Sequence, residues 1–183
     1  MSVVQRNVLV SVDQYLEAEN QSQTKHEYVR GHVYAMVGVS RAHNRLALNL
    51  ASELRSHLRQ SGCEVFMSDM KVRIGDVFYY PDVLVTCSKA DTNPYFSTEP
   101  VLVVEVLSPT TEAADRVDKR VVYQTLESLK EYVLVSQNQR KVEVYRRGSS
   151  GWDLETYTGP DIVDLSSVDF TFSVAELYGE IAR

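Results

Sequence analysis

The chain has 183 residues, of which 44% are hydrophobic and 24% charged, and its formal net charge is −6. This length and composition are ordinary for one soluble globular domain with a good-sized core, so we expect a single domain over residues 1–183. The acidic balance argues against a strong non-specific nucleic-acid binder, because such proteins usually carry a basic footprint. The net charge alone does not exclude a local basic cleft.

The absence of a targeting signal and the spacing of the cysteines predict the location of the protein and the state of its thiols. No apolar run approaches the roughly 18 residues needed to cross a bilayer, and the N-terminal residues lack the apolar core of a signal peptide. We therefore expect a cytoplasmic protein without membrane association. Cys63 and Cys87 lie far apart with no paired Cys or His spacing. We interpret both as core or near-core thiols, since neither a disulfide framework nor a zinc site is indicated.

The N-terminal part of the chain predicts a helix and a hairpin. Ser11 and Gln14 form a capping-box signature for a short helix that runs through Glu19. Residues 25–29 and 32–37 alternate in the manner of strands, and the Arg-Gly pair between them permits a tight turn. This order places the first polar side chains of interest on a strand close to a turn.

A long helix and most of the strands follow. Ser40 can cap this helix and Gly62 can end it. Its buried face is marked by leucines every four residues, at Leu46, Leu50, Leu54 and Leu58. Further strands are predicted at 63–67, 70–74, 83–87, 101–107, 131–136, 141–147 and 152–158, with helices at 113–126 and near 173–178. Helices interleaved with strands indicate an α/β fold with a mixed sheet flanked by helices.

One carboxylate interrupts the apolar stretch VLVVEVLSP at 101–109. Glu105 needs a partner there, because an unpaired buried carboxylate costs several kcal/mol. Asp82 follows Pro81 at the start of a strand, a position that proline favours. If strands 83–87 and 101–107 are neighbours, Asp82 and Glu105 can converge on one divalent cation. The alternatives are a turn residue for Asp82, and a buried ion pair or an outward-facing position for Glu105.

The stretch DRVDKRVVYQ at 115–124 supplies cations beside these acids. Asp115 and Lys119 are four residues apart, which suits a modest salt bridge on an exposed helix face. Lys119 could instead orient a water molecule or stabilise developing charge on a phosphate. Arg116 and Arg120 lie on an adjoining face and either contact a phosphate backbone or remain solvated.

Six segments of the sequence, taken together, resemble a known protein family. They are KHEYVRGHVYAM (25–36), HNRLALNLASELRSHL (43–58), PDVLVT (81–86), VLVVEVLSP (101–109), DRVDKRVVYQ (115–124) and EYVLVS (131–136). Together they resemble the Uma2 family, also called DUF820, over nearly the whole chain. The resemblance implies the restriction endonuclease-like fold of the PD-(D/E)XK nuclease superfamily, a central mixed sheet flanked by helices. Members are abundant in cyanobacteria and are regarded as endonucleases by analogy of fold and motif.

The resemblance also implies roles for individual residues. The aspartate of the superfamily motif falls on Asp82 and its second acid on Glu105, which would hold Mg²⁺ or Mn²⁺. Leu107 occupies the position where the motif has lysine, and the lysine of such families is thought to have migrated to the neighbouring helix, here Lys119. Glu27 resembles a further acid that ligates the metal or positions water. An ordinary strand carboxylate paired at the surface is the alternative for Glu27.

These inferences predict metal-dependent hydrolysis of phosphodiester bonds in nucleic acid, with DNA as the expected substrate. The candidate phosphate-binding residues are Arg116, Arg120, Arg41 and Arg45. Asp69 and Lys71 are weaker site candidates, and His43 is expected to cap or pack. Two other functions stay open. One is a catalytically weak or inactive nucleic-acid-binding or protein-interaction module on the same fold; the other, a glycosidase, would leave Lys119 without a role. An edge strand at 152–158 could support a homodimer.

Overall fold

Side-chain caps decide where the two long helices begin. The computed structural model describes residues 9–109 and 111–179. Helix α1 (Val12–Gln21) begins after Ser11, which exchanges hydrogen bonds with Gln14 in the predicted capping box. Helix α2 (Arg41–His57) begins after Ser40, whose hydroxyl accepts the backbone N–H of His43. Both caps satisfy N–H groups that a helix terminus otherwise leaves unpaired, and both predictions are confirmed.

The strands of the described ranges follow the predicted order with four additions. They are β1 (His26–Val29), β2 (His32–Ala35), β3 (Glu64–Met67), β4 (Lys71–Ile74), β5 (Val77–Tyr79), β6 (Val83–Thr86), β7 (Phe96–Ser97), β8 (Pro100–Leu107), β9 (Glu131–Ser136), β10 (Lys141–Arg147), β11 (Trp152–Thr158), β12 (Ile162–Leu165) and β13 (Phe170–Ser173). The sequence analysis missed β5, β7, β12 and β13. Each has only two to four residues.

The predicted helix at 113–126 is a composite in the structure. It consists of α3 (Glu112–Ala114), a π-helical turn (Asp115–Lys119) and α4 (Arg120–Tyr123), here together called the helical segment. A last short helix, α5 (Val174–Leu177), begins after Ser173, whose hydroxyl accepts the Glu176 N–H. Single π-helical turns are uncommon and recur at functional sites.

Two sheets organise the molecule. The larger has the order β11-β10-β9-β8-β6-β3, and the smaller has the order β2-β1-β5-β4-β7. The larger sheet is mixed because β8 and β9 run parallel while its other neighbours pair antiparallel. The predicted α/β fold with mixed sheets flanked by helices is confirmed, although there are two main sheets and a β12–β13 hairpin instead of one central sheet.

The two faces of the larger sheet bury different partners. Leu102, Val104 and Val106 of β8 share a core with the β12–β13 hairpin and with four leucines of α2 and its C-terminal end, Leu46, Leu50, Leu54 and Leu58. Val103 and Leu107 lie on the opposite face, in a core with residues of the helical segment and of the smaller sheet. Side chains alternate along a strand, so Glu105 faces the helical segment together with Val103 and Leu107.

The pairing of β6 with β8 brings Asp82 close to Glu105. The strands are antiparallel with Val83 opposite Val104 and Leu84 opposite Val103. Continued by one residue, this register places Asp82 opposite Glu105. The prediction that these two strands are neighbours is confirmed. In the described ranges β11 pairs with β10 alone and forms an edge of the sheet, while a homodimer through this edge stays a prediction.

The cysteine interpretation was wrong. Cys63 and Cys87 form a disulfide with a Cα–Cα distance of 4.1 Å, and Cys87 is exposed. The two residues directly flank the Glu64–Thr86 pair of β3 and β6, so they face each other across antiparallel strands. Spacing along the sequence conceals this proximity because it depends on strand pairing.

None of the helices in the described part of the chain combines the length and apolar character needed to cross a bilayer.

We predict that the disulfide contributes about 3 kcal/mol to the free energy of unfolding, because it closes a loop with a sequence separation of 24 residues and restricts the unfolded chain. Urea denaturation with and without reductant measures this effect. The double variant Cys63→Ser/Cys87→Ser should unfold like the reduced protein and show no response to reductant. Equal stability of oxidised and reduced wild-type protein would contradict the prediction.

Candidate functional site

The structure brings four of the predicted site residues into one cleft of about 390 Å³. Glu27 comes from β1, Asp82 precedes β6, Glu105 lies on β8, and Lys119 ends the π-helical turn. Both sheets and the helical segment therefore contribute to the cleft. Residues 34–40, from the end of β2 to the cap of α2, also line the cleft.

The ammonium of Lys119 lies at the centre of the acids. Its Nζ is 2.7 Å from Oε1 of Glu27, 3.2 Å from Oδ1 of Asp115 and 3.4 Å from Oε1 of Glu105. Lys119 is buried, so these contacts replace its hydration. The structure thus brings a lysine to the acid of β8, although Leu107 occupies the position where the nuclease motif has lysine and packs in the core.

Asp115 is the site residue that the sequence analysis missed. It was considered only as the partner of Lys119 on an exposed helix face, but Asp115 is 2% exposed and Lys119 8% exposed, and both line the cleft. Tyr132 donates a hydrogen bond of 2.9 Å to the backbone carbonyl of Asp115, which fixes the helical turn against the sheet. The four-residue spacing gave no signal of this burial, because pairs of opposite charge at that spacing also occur on exposed helix faces.

Burial and neighbouring charges together shift the pKa values of Glu105 and Lys119. It raises the pKa of Glu105 well above its usual range, and Asp115, Asp82 and Glu27 raise it further while Lys119 opposes them. For Lys119, burial alone would lower the pKa, but Glu105, Glu27 and Asp115 outweigh it and the pKa lies well above the usual range. Lys119 therefore stays charged, whereas Glu105 binds a proton unusually well.

Asp82 is held by two contacts at the mouth of the same cleft. Its Oδ2 accepts the backbone N–H of Val106 at 2.7 Å and lies 3.3 Å from Nε2 of His43. His43 is buried in the first turn of α2, so its predicted structural role extends to orienting Asp82. Both contacts reach Oδ2, and no contact to Oδ1 of Asp82 is present among the described residues.

Backbone and tyrosine groups hold the other two acids. Oε1 of Glu27 accepts the backbone N–H of Tyr80 at 3.3 Å, which ties β1 to the loop before Asp82. Tyr123 donates a hydrogen bond of 3.4 Å to Oε1 of Glu105. The alternative for Glu27, an ordinary strand carboxylate paired at the surface, is wrong, because Glu27 forms its ion pair with the buried Lys119.

The candidate phosphate-binding arginines lie outside the cleft lining. Arg116 contacts Glu112 at 2.8 Å and Glu143 at 2.7 Å, and these partners raise its pKa. The guanidinium of Arg120 lies 4.8 Å from the ring centroid of Tyr145. Arg116 and Arg120 are thus engaged within the protein. Arg41 and Arg45 are exposed at the start of α2, near His43.

The weaker candidates have structural partners. Asp69 forms an exposed ion pair with Lys25. Lys71 is buried, its Nζ donates to the hydroxyl of Tyr80 at 3.3 Å, and burial lowers its pKa. Neither residue lines the cleft.

The donor set fits a hard divalent cation. Within residues 9–109 and 111–179, no group of three or more His, Cys, Asp and Glu side chains is arranged to hold a metal by itself. Mg²⁺ needs only one or two carboxylates and completes its shell with water, and Mn²⁺ accepts the same oxygen donors. Asp82 and Glu105, on facing positions of neighbouring strands, provide this number. Four acids line the cleft together with one lysine, which also favours an added positive charge.

Fold and residue placement define the class of protein first. The mixed sheets flanked by helices give the chain the restriction endonuclease-like fold. The chain resembles in fold the crystal structure of "a putative nuclease belonging to DUF820" from Anabaena variabilis, with a TM-score of 0.76, 18% identity and coverage of 93% of this chain and 98% of that one.

The sequence comparison then gives the particular family. The chain belongs to the Uma2 family, whose model, described as "putative restriction endonuclease", matches residues 12–175. Two relatives from Synechocystis are named as uncharacterized proteins. One, slr1290, is 37% identical over 94% of this chain and 93% of its own length. The other, sll1609, is 32% identical over 94% and 98%. The family predicted from the six segments is confirmed.

We predict that Lys119→Met lowers the free energy of unfolding by about 3–5 kcal/mol, because it leaves buried carboxylates without their cation. Urea denaturation at neutral pH measures the loss. Lys25→Met is the matched control: it removes an exposed ion pair and should cost less than about 1 kcal/mol. Equal losses in the two variants would show that Lys119 is not needed to balance the acids.

We also predict that the free energy of unfolding depends on pH through the protonation of Glu105. A carboxyl group with a raised pKa in the folded state binds protons more tightly than in the unfolded state, so its protonation stabilises the fold at low pH. This stabilisation is complete below the unfolded pKa, about 4.3, and is lost as the pH rises through the raised pKa.

The measurement is urea denaturation in a chelator between about pH 5 and about pH 8, with Glu105→Gln as the reference. Stability of the wild-type protein relative to this variant should fall as the pH rises. Glu17→Gln, at an exposed position on α1, should follow the wild-type curve. A constant difference between the wild type and Glu105→Gln would contradict the prediction.

Proposed function

We propose that the protein is a nuclease that hydrolyses phosphodiester bonds of nucleic acid, DNA in the first place, with Mg²⁺ or Mn²⁺ as cofactor. The observation that carries this proposal is the cleft that holds Asp82, directly before β6, and Glu105 of the neighbouring strand β8, with the ammonium of Lys119 3.4 Å from Glu105. Membership of the Uma2 family and the restriction endonuclease-like fold support it.

Each cleft residue has a defined task in this proposal. Asp82, oriented by Val106 and His43, and Glu105 would hold the divalent cation. When bound, the cation activates a water molecule and offsets the negative charge that develops on the phosphate. Lys119 remains protonated and donates to a non-bridging phosphate oxygen or to the attacking water. Glu27 and Asp115 fix the direction of the Lys119 ammonium.

The electrostatics of the cleft make substrate binding depend on the cation. A phosphate approaching four acids and one lysine meets a repulsive field until positive charge is added. Arg41 and Arg45, both exposed on α2, are candidates for contacts with the nucleic-acid backbone beyond the cleft. Arg116 and Arg120 have the protein partners described above, so we assign them no phosphate contact.

A catalytically weak nucleic-acid-binding or protein-interaction module remains the second candidate. The observation that favours it is the acidic cleft, in which Lys119 already has three carboxylate partners. Binding of Mn²⁺ distinguishes the two functions, because a module that does not use the acids has no need of the cation.

We predict that Mn²⁺ binds in a calorimetric titration and supports cleavage of labelled DNA and RNA oligonucleotides. Asp82→Asn and Glu105→Gln should each abolish cleavage and weaken Mn²⁺ binding at least about tenfold, since each removes a charged ligand. Asp69→Asn, at an exposed acid outside the cleft, is the control and should match the wild type. Cleavage that survives both substitutions would refute the proposal, and nucleic-acid binding without cleavage in any variant would favour the module.

A cytoplasmic location is also part of the proposal. Cytosolic thiols are kept reduced, so Cys63 and Cys87 would be reduced there and the fold would depend on its cores. The disulfide forms in the oxidised protein, at the end of β6 away from Asp82. The homodimer through β11 likewise remains a proposal.

A further inference from the structure

A larger pocket of about 680 Å³ adjoins the cleft. Small-molecule sites commonly have volumes of roughly 300–1,000 Å³. The pocket and the cleft share Glu27, Tyr34, Thr111 and Lys119 among their lining residues. The two spaces therefore lie side by side, with Lys119 in the wall of both.

The walls of this pocket are mainly apolar. They are contributed by β1, β5 and the helical segment through Val29, Tyr79, Ala114, Val117, Val121 and Val122. Val117 and Val121 are each 56% exposed, although they lie on one face of a helix, where apolar residues are normally buried. Single exposed apolar residues are common, but these two line a concave surface next to polar groups, which is the pattern of a ligand site.

Tyr34 links the pocket to the cleft. Tyr34 is 54% exposed on the edge strand β2 and lines both spaces. An exposed aromatic ring beside a phosphate-binding position is the usual platform for a nucleobase. The charged residues of the pocket lining are Arg30 and Lys119 with Glu27 and Asp118, so its formal charges balance.

The chemistry of the two spaces suits the two parts of a nucleotide. The cleft has polar groups for a phosphate, and the pocket has apolar and aromatic groups for a base. Since Tyr34 and Lys119 line both spaces, we expect a strand with its phosphate in the cleft to place an adjacent base at the pocket. A base paired within a duplex cannot enter without losing its stacking and pairing, so a single strand reaches the pocket at lower cost.

We propose that the pocket binds an unstacked nucleobase with Tyr34 as its stacking partner, and that the substrate class of the adjoining centre is single-stranded or locally unpaired nucleic acid. The inference rests on the proposed function for the position of the phosphate. It assigns specificity to Tyr34, Val117 and Val121, none of which belongs to the acid cluster.

The test uses fluorescence anisotropy with the full-length wild-type protein in Ca²⁺, which takes the same kind of oxygen ligands as Mg²⁺, and a denaturing gel checks that the probe stays intact. The probes are a labelled oligothymidylate of about 12 nucleotides, the same oligomer with abasic sites, and a duplex. The oligothymidylate should bind about tenfold more tightly than the abasic oligomer, as one stacked base provides. It should also bind more tightly than the duplex.

Substitutions in this background locate the effect. Tyr34→Ala should weaken oligothymidylate binding about tenfold and leave abasic binding unchanged, while Tyr34→Phe should stay within about twofold because the ring is retained. Val117→Asn with Val121→Asn should weaken binding without a change in charge. Leu48→Asn is the matched control, since Leu48 is 51% exposed on α2 and lines neither space.

Three outcomes overturn the base pocket: equal binding of abasic and base-containing oligomers, no effect of Tyr34→Ala, or no measurable binding of any probe. A dimer that dissociates on Val117→Asn with Val121→Asn, seen by sedimentation, would assign the pocket to a second copy instead. Metal-dependent cleavage that ignores the bases leaves the proposed nuclease standing without this pocket. Base-dependent binding without cleavage by the wild type leaves the pocket standing without the nuclease.

Discussion

The ammonium of Lys119 is the charge on which the arrangement of the cleft depends. Moving an ammonium and several carboxylates out of water is costly, and the cost is recovered only when opposite charges meet at short distance. Lys119 meets acids from β1, β8 and its own helical turn. The smaller sheet, the larger sheet and the helical segment are therefore held in one relative position by electrostatics as well as by the apolar core.

A row of packed tyrosine rings also holds the two sheets and the helical segment together. Tyr79, Tyr123, Tyr132 and Tyr145 follow one another with ring-centroid distances of 5.4, 5.3 and 6.3 Å. The row joins the smaller sheet through the helical segment to β9 and β10. Burial raises the pKa of Tyr79 to about 12, with Glu27 adding to the shift, so its hydroxyl stays neutral beside the acids. Rigid rings of this kind limit how far the lysine can move from Glu105.

How far the sequence predicts this structure differs between its parts. The helix caps and the longer strands follow from local signals, and the proximity of Asp82 to Glu105 follows once two strands are taken as neighbours. The burial of Asp115 could not be inferred, because a four-residue pair of opposite charges is common on exposed helices. The Cys63–Cys87 bond was missed for a related reason: it depends on the register of β3 with β6, which no local pattern displays.

The separation of Lys119 from the strand that carries Glu105 has a consequence during synthesis of the chain. In a motif confined to one strand, acid and lysine emerge from the ribosome together and are neighbours as soon as the strand forms. Here the cluster requires Glu27, Glu105 and Lys119 to be brought together by the docking of three separate elements. A nascent or partly unfolded chain therefore contains the residues but not the cluster, and whatever chemistry the cleft performs is withheld until folding is complete.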